Sequence, residues 1–195
     1  MANKVQNKNQ HSASTREAIL ETAANLFTIK GFAATSMSDL AENLGLSKAA
    51  IYHHFESKES ILHNLLESTN TDLEDLLSKL EDFPPSKATT RKILQMFAEF
   101  VFSHRRVARL VLSEMPDEMK AQGPQSHTCM LRLHRLLAGK KSTAESNIRA
   151  RVAIGIIASG IVRPTREKSR RDEEVNLELL VSIASDALGI TPAKK

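Results

Sequence analysis

Apolar residues recur every three or four positions along almost the whole chain, and no stretch alternates apolar and polar residues as a half-buried strand would. This spacing predicts an all-α protein of about nine helices. Ile19, Ala23, Leu26 and Phe27 form the buried stripe of a first long helix, capped by Ser14 or Thr15 and ended by Gly31. Two short helices follow, from about Met37 to Leu44 and from Lys48 to about His54. A long helix from Lys58 to about Leu80 stops at Asp82-Phe83-Pro84-Pro85. Further helices are predicted over about 87–103, 105–114, 126–138, 144–162 and 172–188, punctuated by Met115-Pro116, Gly123-Pro124, Gly139 and a long basic loop over 163–171. Residues 1–13 are rich in Asn, Gln and Lys with nothing to bury, so they are expected to be a disordered arm, and 191–195 a tail.

The two short helices carry the most specific local chemistry. Thr35 or Ser36 caps the first, with Asp39 as its acidic partner, and Met37, Leu40, Ala41 and Leu44 share one face. Gly45 supplies a left-handed turn residue, Leu46 plugs the turn, and Ser47 caps the second helix, whose Ile51 and Phe55 point inward. Small Ala41 lets the helices cross closely and Ile51 anchors the second on the first, the pattern of a helix-turn-helix. Lys48, Ala49, Tyr52 and His53 then face outward, offering a phosphate contact, a methyl group for thymine, and aromatic or imidazole hydrogen bonds. The alternative is an ordinary helical hairpin with a solvated polar face.

The run Gly45-Leu-Ser-Lys-x-x-Ile-Tyr-x-His-Phe-x-Ser-Lys-Glu, within about Thr15 to Leu66, resembles the tetracycline-repressor (TetR) family. The resemblance implies a three-helix DNA-binding head over 14–60 and an effector-binding and dimerisation body over 61–190. It also implies double-stranded operator DNA, a small-molecule effector and a second copy of the chain as partners. The candidate DNA-contacting set is Arg16, Thr35, Ser36, Ser47, Lys48, Ala49, Tyr52, His53 and Lys58. For Arg16, a phosphate contact and an exposed surface arginine stand as alternatives. The helix from Lys58 would connect head to body, its tilt setting the spacing of two recognition helices.

Charge changes this picture in one respect. The chain has a net charge of +4, but residues 1–62 carry six basic and six acidic residues, so the head has no broad electrostatic hold on DNA. Residues 100–171 carry fifteen basic against five acidic residues, while 63–99 and 172–195 are each acidic by three. A single cysteine, Cys129, rules out an intramolecular disulfide and suits a reducing compartment. Met1 to Ser14 is polar throughout, and the longest uncharged apolar run, Val152 to Val162, is too short to span a bilayer, so a cytoplasmic protein without a membrane partner is expected.

Catalytic signatures such as G-x-S-x-G, H-E-x-x-H, C-x-x-C and a phosphate-cradling glycine loop are absent, and the pair Asp117/Glu118 lies among loop residues. No enzymatic activity and no cofactor are expected. His127, Cys129 and His134 make a poor metal set, because position 129 is rotated away from the other two on a helix, and Cys129 reads better as a small core residue.

Met96, Phe97 and Phe100 lie on a helix more broadly apolar than one core stripe needs. Together with Met130 and Leu133, and with His104, Arg106 and Arg109 for charge, they form the candidate effector site, as opposed to plain core beside a solvated basic face. An anionic, largely apolar effector such as an acyl-coenzyme A would suit that composition. Ile148, Val152, Gly155 and Ser159 on one helix and Val175, Leu179 and Ile183 on the last form the candidate dimer interface, with Gly155 and Ser159 small enough for close approach. A constitutive helical DNA-architecture or scaffold protein without an effector is the competing reading.

Overall fold

The computed structural model describes the backbone of residues 2–113, 124–162 and 170–190, and side chains within 14–111, 128–162 and 177–190. Among the described residues there are nine α-helices and no strand. They are α1 (Ala2–Lys30), α2 (Met37–Leu44), α3 (Lys48–His54), α4 (Lys58–Glu81), α5 (Lys87–Ser103), α6 (Arg105–Ser113), α7 (Pro124–Ala138), α8 (Ala144–Val162) and α9 (Arg170–Leu188). The chain divides into two compact units, a first built on residues up to Thr69 and a second from Asn70 onward, with the short segment starting at Leu110 assigned to the first.

The backbone of α1 starts at Ala2, within the segment expected as an arm over 1–13. Polarity there says only that the side chains have nothing to bury. Residues 2–30 contain no Gly or Pro, so a helix nucleated by the buried stripe at Ile19 and Ala23 extends backward at one hydrogen bond per added residue. Helix α7 likewise starts at Pro124, where a proline is tolerated because its missing N–H would have no intrahelical partner. The Met115-Pro116 stop, the loop over 163–169 and the tail over 191–195 lie outside the described residues, as do the side chains of His127 and Val175.

In the first unit, Ile19, Ala23 and Phe27 of α1, Leu40 of α2, Ile51 of α3 and Ile61 of α4 are buried. The second unit has its own core of Leu77 and Leu80 from α4, Leu94 and Phe97 from α5, Cys129 and Leu133 from α7, Ala153 and Ile157 from α8, and Ala184 from α9. Cys129 is thus a core residue, its thiol donating to Glu74 at 3.8 Å and pushed up from its ordinary pKa by burial and then by the Glu74 charge.

Helices α8 and α9 come close at a residue the sequence pattern did not single out. A Cβ at Gly160 would collide with both methyl groups of Leu180, whereas a Cβ at Gly155 would meet nothing within 4 Å. Close approach within the chain is therefore made at Gly160, and Gly155 faces open space. Arg149 donates to the carbonyl of Ala187 at 2.9 Å, satisfying a carbonyl in the last turn of α9. Buried Ser185 donates to Val181 O at 2.7 Å and accepts from Arg91 at 3.3 Å.

Candidate nucleic-acid interface

The loop between α1 and α2 sets the position of everything after it. Phe27 and Phe32 meet edge to face with ring centroids 5.0 Å apart. Thr35 is buried and its hydroxyl donates to Gly31 O at 2.7 Å. The Lys58 ammonium lies over the Phe32 ring and donates to three loop carbonyls, Phe32 O at 2.8 Å, Ala33 O at 3.1 Å and Thr35 O at 3.2 Å. All three N–H groups of that ammonium are engaged. Thr35 and Lys58, both in the candidate DNA-contacting set, build this loop. The carbonyls that Lys58 meets lie more than twenty residues away in sequence, out of reach of any local rule.

Ser36 caps α2 reciprocally with Asp39: the Asp39 N–H donates to Ser36 Oγ at 3.2 Å, and the Ser36 N–H donates to Asp39 Oδ2 at 2.7 Å. Lys30 of α1 adds an ion pair to Asp39 at 2.8 Å, a contact the sequence reading missed. The hydrogen bond from Lys30, then those from Ser36, hold the Asp39 carboxyl well below the usual carboxylate range. Gly45 ends α2 at φ 63°, and the Leu46 N–H returns to Ala41 O at 2.9 Å. A side chain at 45 would meet no atom within 4 Å, so its cost would be the left-handed backbone alone, on the order of 1–3 kcal/mol for a β-branched residue.

Ser47 caps α3, accepting from the Ala50 N–H at 3.1 Å. Ile51 and Phe55 are buried, which turns Lys48, Ala49, Tyr52 and His53 outward together. Lys48 Nζ lies 5.9 Å from the centroid of the Tyr52 ring, and Tyr52, the single tyrosine of the chain, is 47% exposed. The His53 and His54 rings meet edge to face at 5.4 Å. Burial, then the fields of His53 and Arg16, push His54 below its ordinary pKa. Arg16 donates to Asn64 Oδ1 and places its guanidinium 4.8 Å from the centroid of Phe55, the residue that ends α3. It is exposed, so it remains beside the outward face.

In the second unit the apolar effector candidates come together. Phe97 and Leu133 are buried, and Met96, Phe100 and Met130 pack against the same core. The polar candidates are already bonded. His104 stacks on Phe100 at 4.4 Å and pairs through Nε2 with Asp72 at 3.0 Å, while Arg109 donates to Val162 O at 3.3 Å. Arg106 is exposed. Arg132 is bound at two points by Glu81, both at 2.9 Å, and that bond draws the Glu81 pKa down. His134 faces the carbonyl of Asn147 at 2.9 Å. Among the described residues, no helix is long and apolar enough to cross a membrane.

Four of the seven large hydrophobic residues left exposed among the described residues lie on the last two helices: Ile148 and Val152 on α8, Leu179 and Ile183 on α9. Gly155 and Ser159 are exposed on α8 as well.

A capped helix-turn-helix that buries one side of its second helix and turns a polar side to solvent, within an all-helical chain, defines a helix-turn-helix DNA-binding protein. Residues 19–65 match the family described as bacterial regulatory proteins, tetR family. The chain is 33% identical over 103 residues to the HTH-type transcriptional regulator YerO of Bacillus subtilis (strain 168), covering 51% of this chain and 35% of that protein. It is 30% identical over 105 residues to the HTH-type transcriptional repressor KstR2 of Rhodococcus jostii (strain RHA1), covering 54% of this chain and 50% of that one. The chain thus spans half or less of the length of these curated relatives. The crystal structure of the TetR family transcriptional regulator PfmR from Thermus thermophilus superposes with a TM-score of 0.66 at 28% identity, covering 84% of this chain and 97% of that one. Residues 19–65 therefore carry the DNA-binding region of the tetR family of bacterial regulatory proteins.

Proposed function

We propose that this chain is a transcriptional repressor that binds a palindromic DNA operator as a homodimer and is released by a small effector held in its second unit. The observation that carries the DNA reading is the outward set on α3, Lys48, Ala49, Tyr52 and His53, held in place by buried Ile51 and Phe55. Lys48 would take a phosphate, and Tyr52 and His53 base edges. Ser36 and Ser47, whose hydroxyls cap helices yet stay exposed, would stand at the margins of that contact, and Arg16 at its flank. Selection from a random pool of duplexes should enrich a two-fold symmetric site. On that site Lys48→Ala should weaken binding to all sequences alike, and Tyr52→Phe should relax specificity, each by on the order of 1–3 kcal/mol. Wild-type affinity in both variants at matched salt would remove this face from the interface.

The homodimer is supported by the exposed apolar faces of α8 and α9, through Ile148, Val152, Gly155 and Ser159 on one helix and Leu179 and Ile183 on the other. Val175 would extend the same helix face by register. Two such helices from each copy would form a four-helix contact.

The effector reading rests on the convergence of Met96, Phe97, Phe100, Met130 and Leu133, with His104, Arg106 and Arg109 on the adjoining segment. An anionic, largely apolar ligand such as an acyl-coenzyme A or a hydrophobic carboxylic acid fits both halves of that composition. It must prefer the conformation that cannot bind DNA, since equal affinity for both conformations shifts nothing. In a thermal-shift screen, acyl-coenzyme A esters and aromatic acids should stabilise the protein more than cationic drugs. Stabilisation by cations alone would overturn the anionic reading.

A further inference from the structure

We infer that Arg151 of α8 and Asp186 of α9 form reciprocal ion pairs between two copies of this chain, fixing how the copies dock and which chains pair. The inference rests on the homodimer reading above. Each charge sits on an otherwise apolar exposed face: Arg151 is one turn from Ile148 and Gly155, and Asp186 one turn from Ile183. Both side chains are exposed, and among the described residues neither takes part in an ion pair. The neighbouring Arg149 is engaged, by Glu145 and by the carbonyl of Ala187. Glu178, the other exposed carboxylate of α9 among the described residues, lies about 12 Å along the helix from Asp186 at the usual rise.

The packing of α8 on α9 within one chain sets the levels. Gly160 lies against Leu180 and the Arg149 guanidinium reaches Ala187 O, so the two helices run antiparallel. Between those contacts, Gly155 is level with Ile183, Ser159 with Leu179 and Arg151 with Asp186, to within about 3 Å along the axis. A second copy turned about a two-fold axis along the helices lays α8 on the partner's α9 at the same level. Small residues then meet large ones, Gly155 receiving the partner's Ile183 and Ser159 the partner's Leu179. Arg151 meets the partner's Asp186, and symmetry repeats every contact. The open space at Gly155, where a Cβ would meet nothing within 4 Å, is filled by the other copy.

The other two-fold arrangement lays α8 on α8 and α9 on α9. It sets small residues against small and large against large, leaving gaps on one side and excess bulk on the other. It also separates Arg151 from Asp186. Unmatched charges buried on an apolar face oppose association, whereas a matched pair roughly breaks even and rejects wrong partners. Arginine suits that task, because its fork can hold a carboxylate at two points. A chain with similar apolar faces but no cation and anion at these levels would leave both charges unpaired, so the pair selects like chains.

The test is charge reversal in the full chain, with Arg151→Asp, Asp186→Arg and the double variant followed by sedimentation. Arg151→Asp sets carboxylate against carboxylate across the contact, and Asp186→Arg sets guanidinium against guanidinium. Each alone should weaken self-association by at least ~100-fold. Mixed in equal amounts, the two single variants should form a heterodimer about as tight as the wild-type dimer, because every contact again joins a cation to an anion. The double variant restores both pairs within one kind of chain, so it should self-associate as wild type does. It decides the matter should a single variant fail to fold. Single variants that dimerise as wild type, or a mixture or double variant that stays monomeric, overturn the inference and leave the homodimer reading intact. Wild-type chains that sediment as monomers at micromolar concentration overturn both.

Discussion

Ile148→Asp combined with Leu179→Asp is expected to leave each chain folded but convert the protein to a monomer that no longer holds its operator. Both side chains are about half exposed in the single chain, at 53% and 54%, so carboxylates there would stay hydrated and cost the monomer little. Buried between two copies, the same carboxylates would meet apolar neighbours and one another, an unpaired burial worth several kcal/mol. A monomer reads one half-site. It would then keep about half of the ~11–15 kcal/mol typical of a specific protein–DNA complex, which takes affinity from the nanomolar range to micromolar or weaker. Gly155→Leu offers a milder version, since a Cβ there meets nothing in its own chain and any loss of dimer must come from the other copy. Sedimentation and gel-shift titration of the same samples decide the matter. A double variant that sediments and binds as wild type would place the interface elsewhere.

Lys58→Met should loosen the DNA-binding head by about 2–4 kcal/mol, because at least two part-buried carbonyls, Phe32 O and Thr35 O, lose their donor. Those carbonyls belong to the loop that sets where α2 starts, so hydrogen exchange should quicken from about 32 to 41. DNA affinity should fall as a consequence, but for a structural reason. The slope of the remaining binding against salt should match wild type, whereas loss of a phosphate contact would lower it by about 0.9 per copy. Lys58→Arg should restore part of the stability, with its fork less suited to three carbonyls converging on one ammonium. Wild-type exchange together with a shallower salt slope would return Lys58 to the DNA.

These two predictions differ in how far the sequence alone could have supplied them. The helix-turn-helix is fixed by interactions within three or four residues: the Ser36–Asp39 cap, the left-handed Gly45, the Ser47 cap, and the apolar spacing of Leu40, Ala41 and Ile51. Local geometry determines such features, so the bounds of α2 and α3 and the outward set on α3 were legible from residue order. The same holds for Cys129 as a core residue.

What the sequence could not decide was which partner each polar or small residue would meet across the fold. Lys58 and Thr35 read as surface groups near DNA, yet the closing of the loop after α1 brings carbonyls more than twenty residues away onto the Lys58 ammonium. Arg132 reads as a free cation until α7 lies beside α4 and Glu81 takes it at two points. Gly155 and Gly160 are equally small and sit on one helix. Only the docking of α9 puts Leu180 against Gly160, where an added Cβ would push its methyl groups aside. Periodicity and capping determine helices and their buried faces because those depend on neighbours along the chain; the pairing of charges and the choice of contact glycine depend on how the helices pack, and only the tertiary structure decided them.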